Sequence, residues 1–192
     1  GVTNTIPTLS VSQNNGTAIK AQLGGTVNLS MVRGGVGAAS SVRWLMGEDS
    51  PASAFNGAIR DMYNPTCFGN PGKVSDAQYS CSTADNGGVH GNSGIANLAF
   101  YLLSQGGTHP RAKTTVSVTG IGIEKATKIF FKANTAILTS SAKFQDARNA
   151  TAQAAKDLYG SCSEEWVNTQ KSWDAVGVPG TWTPCGTGDT VA

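Results

Sequence analysis

The chain reads as mainly α, a packed helical bundle behind a Gly/Ser-rich irregular N-terminal segment. Three observations predict this. Beyond residue 93, four stretches repeat apolar residues at helical spacing. Glycines and small polar residues punctuate those stretches at their ends. Residues 1–43, dominated by Gly, Ser, Thr and Asn, sustain neither a helical period nor a strand alternation.

Within that first segment, Gly25-Thr26-Val27-Asn28-Leu29-Ser30-Met31-Val32 has the β-branched content of an edge strand, and Gly34-Gly35-Val36-Gly37-Ala38-Ala39-Ser40-Ser41 reads as linker. Ordered text starts at Trp44. The expected divisions are residues 1–43, an irregular segment, 44–180, the helical domain, and 181–192, a tail. The first helix is marked by Ile95, Leu98, Ala99, Leu102 and Leu103 on one face and stopped by Gly106-Gly107. After a short extended link, Thr114-Thr115-Val116-Ser117-Val118, a second carries Ile123, Ala126, Phe130, Ala133 and Ile137; its apolar stripe reads as core, with a ligand groove as the rarer use. The third runs through Phe144, Ala147, Thr151, Ala154 and Leu158, with Ser141 as expected cap and Gly160 as stop. Ser163 caps the fourth, Glu164 and Glu165 sit in its first turn where the helix dipole favours them, and Trp166 and Trp173 lie one heptad apart and face the same way. Gly177 and Pro179 end it.

Composition narrows the partners. The formal net charge is +2 on 192 residues, and no basic run interleaves with aromatics, so nucleic acid is not an expected partner. No apolar run reaches bilayer length, and residue 1 opens no signal peptide, so a membrane is not expected either. The four cysteines lack the Cys-x-x-Cys spacing of a structural zinc site and fall in two local pairs, Cys67 with Cys81 and Cys162 with Cys185. Both flank loops rich in Gly, Pro, Ser and Thr, which favours two disulfides formed outside a reducing cytosol over four buried thiols.

The stretch richest in chemistry is Asp85-Asn86-Gly87-Gly88-Val89-His90-Gly91-Asn92-Ser93-Gly94, which holds one of only two histidines. Asn86-Gly87-Gly88 accepts positive φ cheaply, so the backbone can reverse and return Asp85 to the His90 ring. A carboxylate on one imidazole nitrogen fixes the tautomer, and a protonated ring then donates from the other nitrogen to a developing negative charge. On spacing alone, a histidine satisfied by a neighbour near a turn serves as well.

Continued by Ile95-Ala96-Asn97-Leu98-Ala99-Phe100-Tyr101-Leu102-Leu103-Ser104-Gln105-Gly106-Gly107-Thr108-His109, this run resembles the C-terminal helical half of thermolysin-family neutral metallopeptidases. The similarity extends from Trp44-Leu45-Met46-Gly47-Glu48-Asp49 to Trp173-Asp174-Ala175-Val176-Gly177-Val178. It implies a helical domain like the thermolysin C-terminal one, flanking a cleft that an N-terminal half completes. It also implies peptide-bond hydrolysis of protein substrates outside the cell, with His90 donating to the oxyanion of the tetrahedral intermediate and Asp85 orienting it. Ala58-Ile59-Arg60-Asp61-Met62 resembles the segment whose arginine binds a substrate carbonyl, so the resemblance implies Arg60 as a substrate contact and Ile59 as a wall of the adjacent pocket.

Zinc and calcium are the cofactors the resemblance implies. Gly1-Val2-Thr3-Asn4-Thr5 resembles the residues directly after the family's His-Glu-x-x-His helix, whose histidines bind zinc and whose glutamate is the general base. The position of the third zinc ligand, a glutamate, falls near Lys20 in Thr17-Ala18-Ile19-Lys20-Ala21-Gln22, where no carboxylate stands. The oxyanion-assisting tyrosine also belongs in this stretch, and none precedes Tyr63. A shifted reading frame or a divergent insert accounts for a segment of the right length with the wrong residues. Gly47-Glu48-Asp49 falls where the family gathers calcium carboxylates, and with too few oxygens for calcium Glu48 reads as a remnant. Zinc ligands are therefore not expected in this chain, which is expected to be inactive alone. The competing expectation is a non-catalytic helical module that binds peptides or a complementary half.

Overall fold

The computed structural model describes residues 44–46 and 58–185. The expected strand, linker and ligand segment of residues 1–43, and Glu48, lie outside them. The chain divides into two compact units, residues 1–60 and 61–192. Leu45–Met46 (β1) lies in the first, where the Ile59 amide donates to the Met46 carbonyl at 2.8 Å, and its partner strand Arg60–Asp61 (β2) starts at the last residue of that unit. The second is the helical bundle.

After a 3-10 turn at Pro65–Phe68, the bundle is built from α1 (Asp85–Asn92), α2 (Gly94–Gln105), α3 (Ile123–Ala136), α4 (Phe144–Tyr159) and α5 (Glu164–Ala175). Helix α2 is the centre, packing against α1, the 3-10 turn, α3 and α5. Its apolar residues explain this position, since all five that mark its face are fully buried. Ile95, Leu98, Ala99 and Leu102 join Val118, Trp173, Val176 and Val178 in one core cluster. Leu103 points into a second, with Ala126, Ile129, Ala133, Ala150, Ala154 and Ala155. The alanines of the second cluster let α3 and α4 approach closely. Gly106 ends α2 beside Gly120: a Cβ on Gly106 would stand 2.7 Å from the Gly120 nitrogen, so these backbones can meet only without side chains.

Several expected details shift. Ile123 and Ile137 are exposed, since one opens α3 and the other caps it; Ile129 takes the buried place. Phe130 belongs to the core, stacked on Trp173 at 6.1 Å and edge-on to Phe100 at 5.1 Å, so the stripe is packing surface and not a groove. Helix α4 starts at Phe144, and the Lys143 amide donates to Asp146 Oδ2 at 2.8 Å, replacing the cap expected of Ser141. Leu158 is exposed, while Arg148 is buried between Asp174 Oδ1 and the Val178 carbonyl, both at 2.6 Å from Nη1. Ser163 caps α5 as expected, accepting the Trp166 amide at 3.1 Å. The two tryptophans of α5 serve different neighbours: Trp173 is buried in the first cluster, and Trp166 packs on the second and edge-on to Trp182 at 5.7 Å.

The cysteines divide. Cys162 and Cys185 form a disulfide that ties the tail to the start of α5. Cys67 and Cys81 are both free and exposed, contrary to the pairing expected of them. Cys67 lies in the 3-10 turn, where its Sγ accepts from Arg111 Nη2 at 3.6 Å. Cys81 follows Ser80, whose backbone is bound to Asn92 instead.

Candidate functional site

Helix α1 begins left-handed. Asp85, Asn86, Gly87 and Gly88 have φ of 54°, 50°, 88° and 73°. The Gly87 and Gly88 amides both donate to the Ala84 carbonyl, at 3.1 and 3.0 Å, closing a tight turn. A left-handed residue with a Cβ costs roughly 1–2 kcal/mol, and Asp and Asn are the types that tolerate it best. Two glycines carry the rest of the turn at no such cost. From Val89 the backbone is right-handed and runs through Ser93 into α2.

This reversal folds the Asp85 carboxylate over the next turn. Asp85 Oδ2 accepts the His90 amide at 3.0 Å, and Oδ1 closely contacts His90 Nδ1. One carboxylate therefore holds both backbone and ring. With Nδ1 on the carboxylate, Nε2 is the nitrogen left to meet another molecule. The ring is open to it, with the His90 side chain 78% exposed.

Behind the turn lies a residue that sequence reasoning misses. Asn92 is buried, and its Oδ1 accepts the Ser80 amide at 2.9 Å while Nδ2 donates to the Ser80 carbonyl at 2.9 Å and the Gly87 carbonyl at 3.1 Å. Gly88 is pressed against the same segment, where a Cβ would stand 2.5 Å from Ser80 Cβ. The available signal is an asparagine in register with the histidine, two residues on, inside an otherwise glycine-rich run.

Of the expected site residues, Asp85 and His90 are brought together in the helical unit. Arg60 and Ile59, half-buried at β2, belong to the first unit. Among the described residues no three His, Cys, Asp or Glu side chains are grouped to hold a metal ion. The other histidine, His109, is buried with Nδ1 accepting the Arg111 amide at 3.1 Å. A zinc site takes three or four protein ligands, so the described residues do not fit zinc. An open depression of about 420 Å³ between α3 and α4, bounded by Ile137, Leu138, Asp146 and Gln153, brings no second reactive group to Asp146, which already caps α4.

The structure is thus a helical bundle whose central helix is preceded by a carboxylate-gripped, outward-facing histidine on a left-handed turn. The comparison with known proteins gives it a family. Over residues 11–178 the chain matches the family described as thermolysin metallopeptidase, alpha-helical domain, and it belongs to that family. The match starts well before Trp44, inside the segment read as irregular.

Thermolysin of Alicyclobacillus acidocaldarius subsp. acidocaldarius is 48% identical over 136 residues, covering 70% of this chain and 24% of that protein. Bacillolysin of Bacillus caldolyticus is also 48% identical over 136 residues, with the same coverage. Bacillolysin of Brevibacillus brevis is 43% identical over 136 residues, 25% of its length. The chain thus spans about a quarter of the curated relatives it matches.

Proposed function

We propose that this chain supplies the helical side of the active-site cleft of a secreted zinc endopeptidase that cleaves peptide bonds in protein substrates. The observation that carries the reading is the Asp85–His90 pair, with a carboxylate on Nδ1 and on the amide of the same histidine. His90 presents Nε2 to the carbonyl oxygen of the scissile bond. As the imidazolium it donates to that oxygen while negative charge develops there, and Asp85 holds the ring in place. Such a donor is strongest where water is excluded, and the exposure of His90 suits a group that a facing half and the substrate cover. Arg60 binds a substrate carbonyl, with Ile59 beside it. When bound, zinc would polarise the carbonyl and activate water; its ligands are assigned to none of the described residues.

The test uses the complete enzyme, with its His-Glu-x-x-His segment. His90→Ala is expected to lower kcat by about 10²–10³-fold with little change in KM, because the donor acts on charge that only the transition state carries. Asp85→Asn should act in the same direction and less. Arg60→Ala should raise KM as well, since it touches substrate before the reaction. An intact kcat with raised KM in His90→Ala would make His90 a binding residue. Absence of any His-Glu-x-x-His segment from the parent gene would favour the non-catalytic module.

A further inference from the structure

The left-handed turn that carries the site lies at the surface. Its residues are exposed except Gly88, and the Gly87 and Gly88 amides share a single acceptor, the Ala84 carbonyl. Left-handed turns of this length are unfavourable for L-residues, so a neighbour has to over-determine this one. One buried side chain bonds to it directly.

We infer that Asn92 is the positioning residue of the site, fixing the angle at which Asp85 meets His90 by tying the turn to the Ser80 segment; this rests on the catalytic reading of His90. Asn92 is 4% exposed, and its oxygen and nitrogen together make three hydrogen bonds. Two go to the Ser80 backbone, one from each direction, as a sheet partner would make them. The third goes to the Gly87 carbonyl, inside the left-handed turn. Asn92 stands two residues after His90 at the right-handed end of the same short helix. It therefore ties the left-handed start of α1 to its right-handed end, and both ends to an outside support.

The geometry of Asp85 depends on that closure. Its carboxylate reaches forward over the turn to the amide and ring of His90, so any unwinding at Gly87 carries the carboxylate away from Nδ1. An asparagine suits this position because it presents one acceptor and two donors within a single planar amide. Serine or aspartate cannot match all three bonds. Leucine would fill the space and leave two carbonyls and an amide without these partners. Gly88 completes the fit, since the contact with Ser80 leaves no room for a Cβ.

The test reads the ring itself. In the 192-residue chain, 15N NMR of the His90 imidazole is compared among the wild type, Asp85→Asn and Asn92→Ala, with the Trp173 indole resonance as reporter of the bundle. Asn92→Ala is expected to move the ring signals most of the way to those of Asp85→Asn while Trp173 stays put. Ring signals that superimpose on the wild type would overturn the inference. Should the variant fail to fold, the wild type decides: the Asn92 side-chain amide protons should exchange slowly and show scalar coupling to the Gly87 carbonyl carbon. Fast exchange without coupling would overturn the inference. In the complete enzyme Asn92→Ala should lower kcat by about 10²-fold with KM unchanged, as misplacing a reacting group does; unchanged kcat there would also count against it. Loss of the catalytic reading, seen as full activity in His90→Ala, leaves the NMR result to stand or fall on its own.

Discussion

Helix α2 and the turn before it meet at Ser93 and are held by opposite means. In α2 the stabilising groups are side chains with no polar atoms: Ile95, Leu98, Leu102 and Leu103 are fully buried against α3, α5 and the links between them. In the Asp85–His90 turn the groups that matter are backbone amides, carbonyls and a carboxylate, on residues that are exposed save Gly88. Tolerance to substitution differs accordingly. Close packing makes α2 intolerant of lost volume, whereas the turn can lose an apolar group freely and cannot lose a hydrogen bond.

Two substitutions of like chemistry break that comparison if it is wrong. Leu102→Ala should destabilise the bundle by about 2–5 kcal/mol, through lost burial and the cavity left behind. Val89→Ala, next to His90 and 49% exposed, should stay within about 0.5 kcal/mol. Urea unfolding monitored by tryptophan fluorescence measures both. Equal losses would mean that the turn is packed as tightly as the helix.

The same contrast explains what could be read from the sequence. The face of α2 was legible because its period of apolar residues is the physical cause of its burial. The Asp85–His90 contact was legible because Asn and Gly types announce positive φ. The ends of α3 were not, since periodicity carries no information on where the neighbouring helices stop, and Ile123 and Ile137 continue the pattern into solvent. Arg148 escaped notice for the converse reason, as a charged residue on a polar-looking position became buried through partners far along the chain. Asn92 was hidden likewise, its partner Ser80 lying in a loop with no pattern.

A middle-sized effect separates the two cysteine pairs. Cys162–Cys185 closes a segment of 23 residues, and removing it should cost roughly 2–4 kcal/mol, chiefly by freeing the unfolded chain. Trp182 would be released with it, although its indole nitrogen also donates to Asp174 Oδ2 at 2.9 Å. Cys67 and Cys81 should behave as accessible thiols in the native protein. Thiol titration should count two of them, and non-reducing peptide mapping should recover only the Cys162–Cys185 fragment. A Cys67–Cys81 fragment would show that the loop after the 3-10 turn closes on itself instead of resting on Asn92 and Arg111.

The smallest effect concerns the second histidine and pits the packed region against the exposed one. His109 lies beneath α2: its Nε2 and Leu98 Cδ2 would each stand 3.3 Å from a Cβ placed on Gly72. Burial pushes its pKa down from the ordinary value of 6.5, which outweighs the Gly72 backbone and the Asp76 carboxylate that favour the proton; the Lys113 and Lys73 ammonium groups add to the downward shift. The folded protein therefore binds fewer protons here than the unfolded chain does between the depressed value and 6.5. Stability from this residue is complete above that window and is lost as the pH falls through it. Asp76 acts lower down: burial raises its carboxyl, but the ion pair with Lys113 and the amides of Gly72 and Lys73 hold it below the ordinary 3.8, so its contribution persists until the pH falls through that lowered value. Between about pH 7.5 and about pH 5.5, on either side of the ordinary histidine value, the urea midpoint of the wild type should drop, and His109→Gln should flatten that drop by removing the titrating group. An identical slope in the two proteins would mean that His109 opens to water as readily as His90 does.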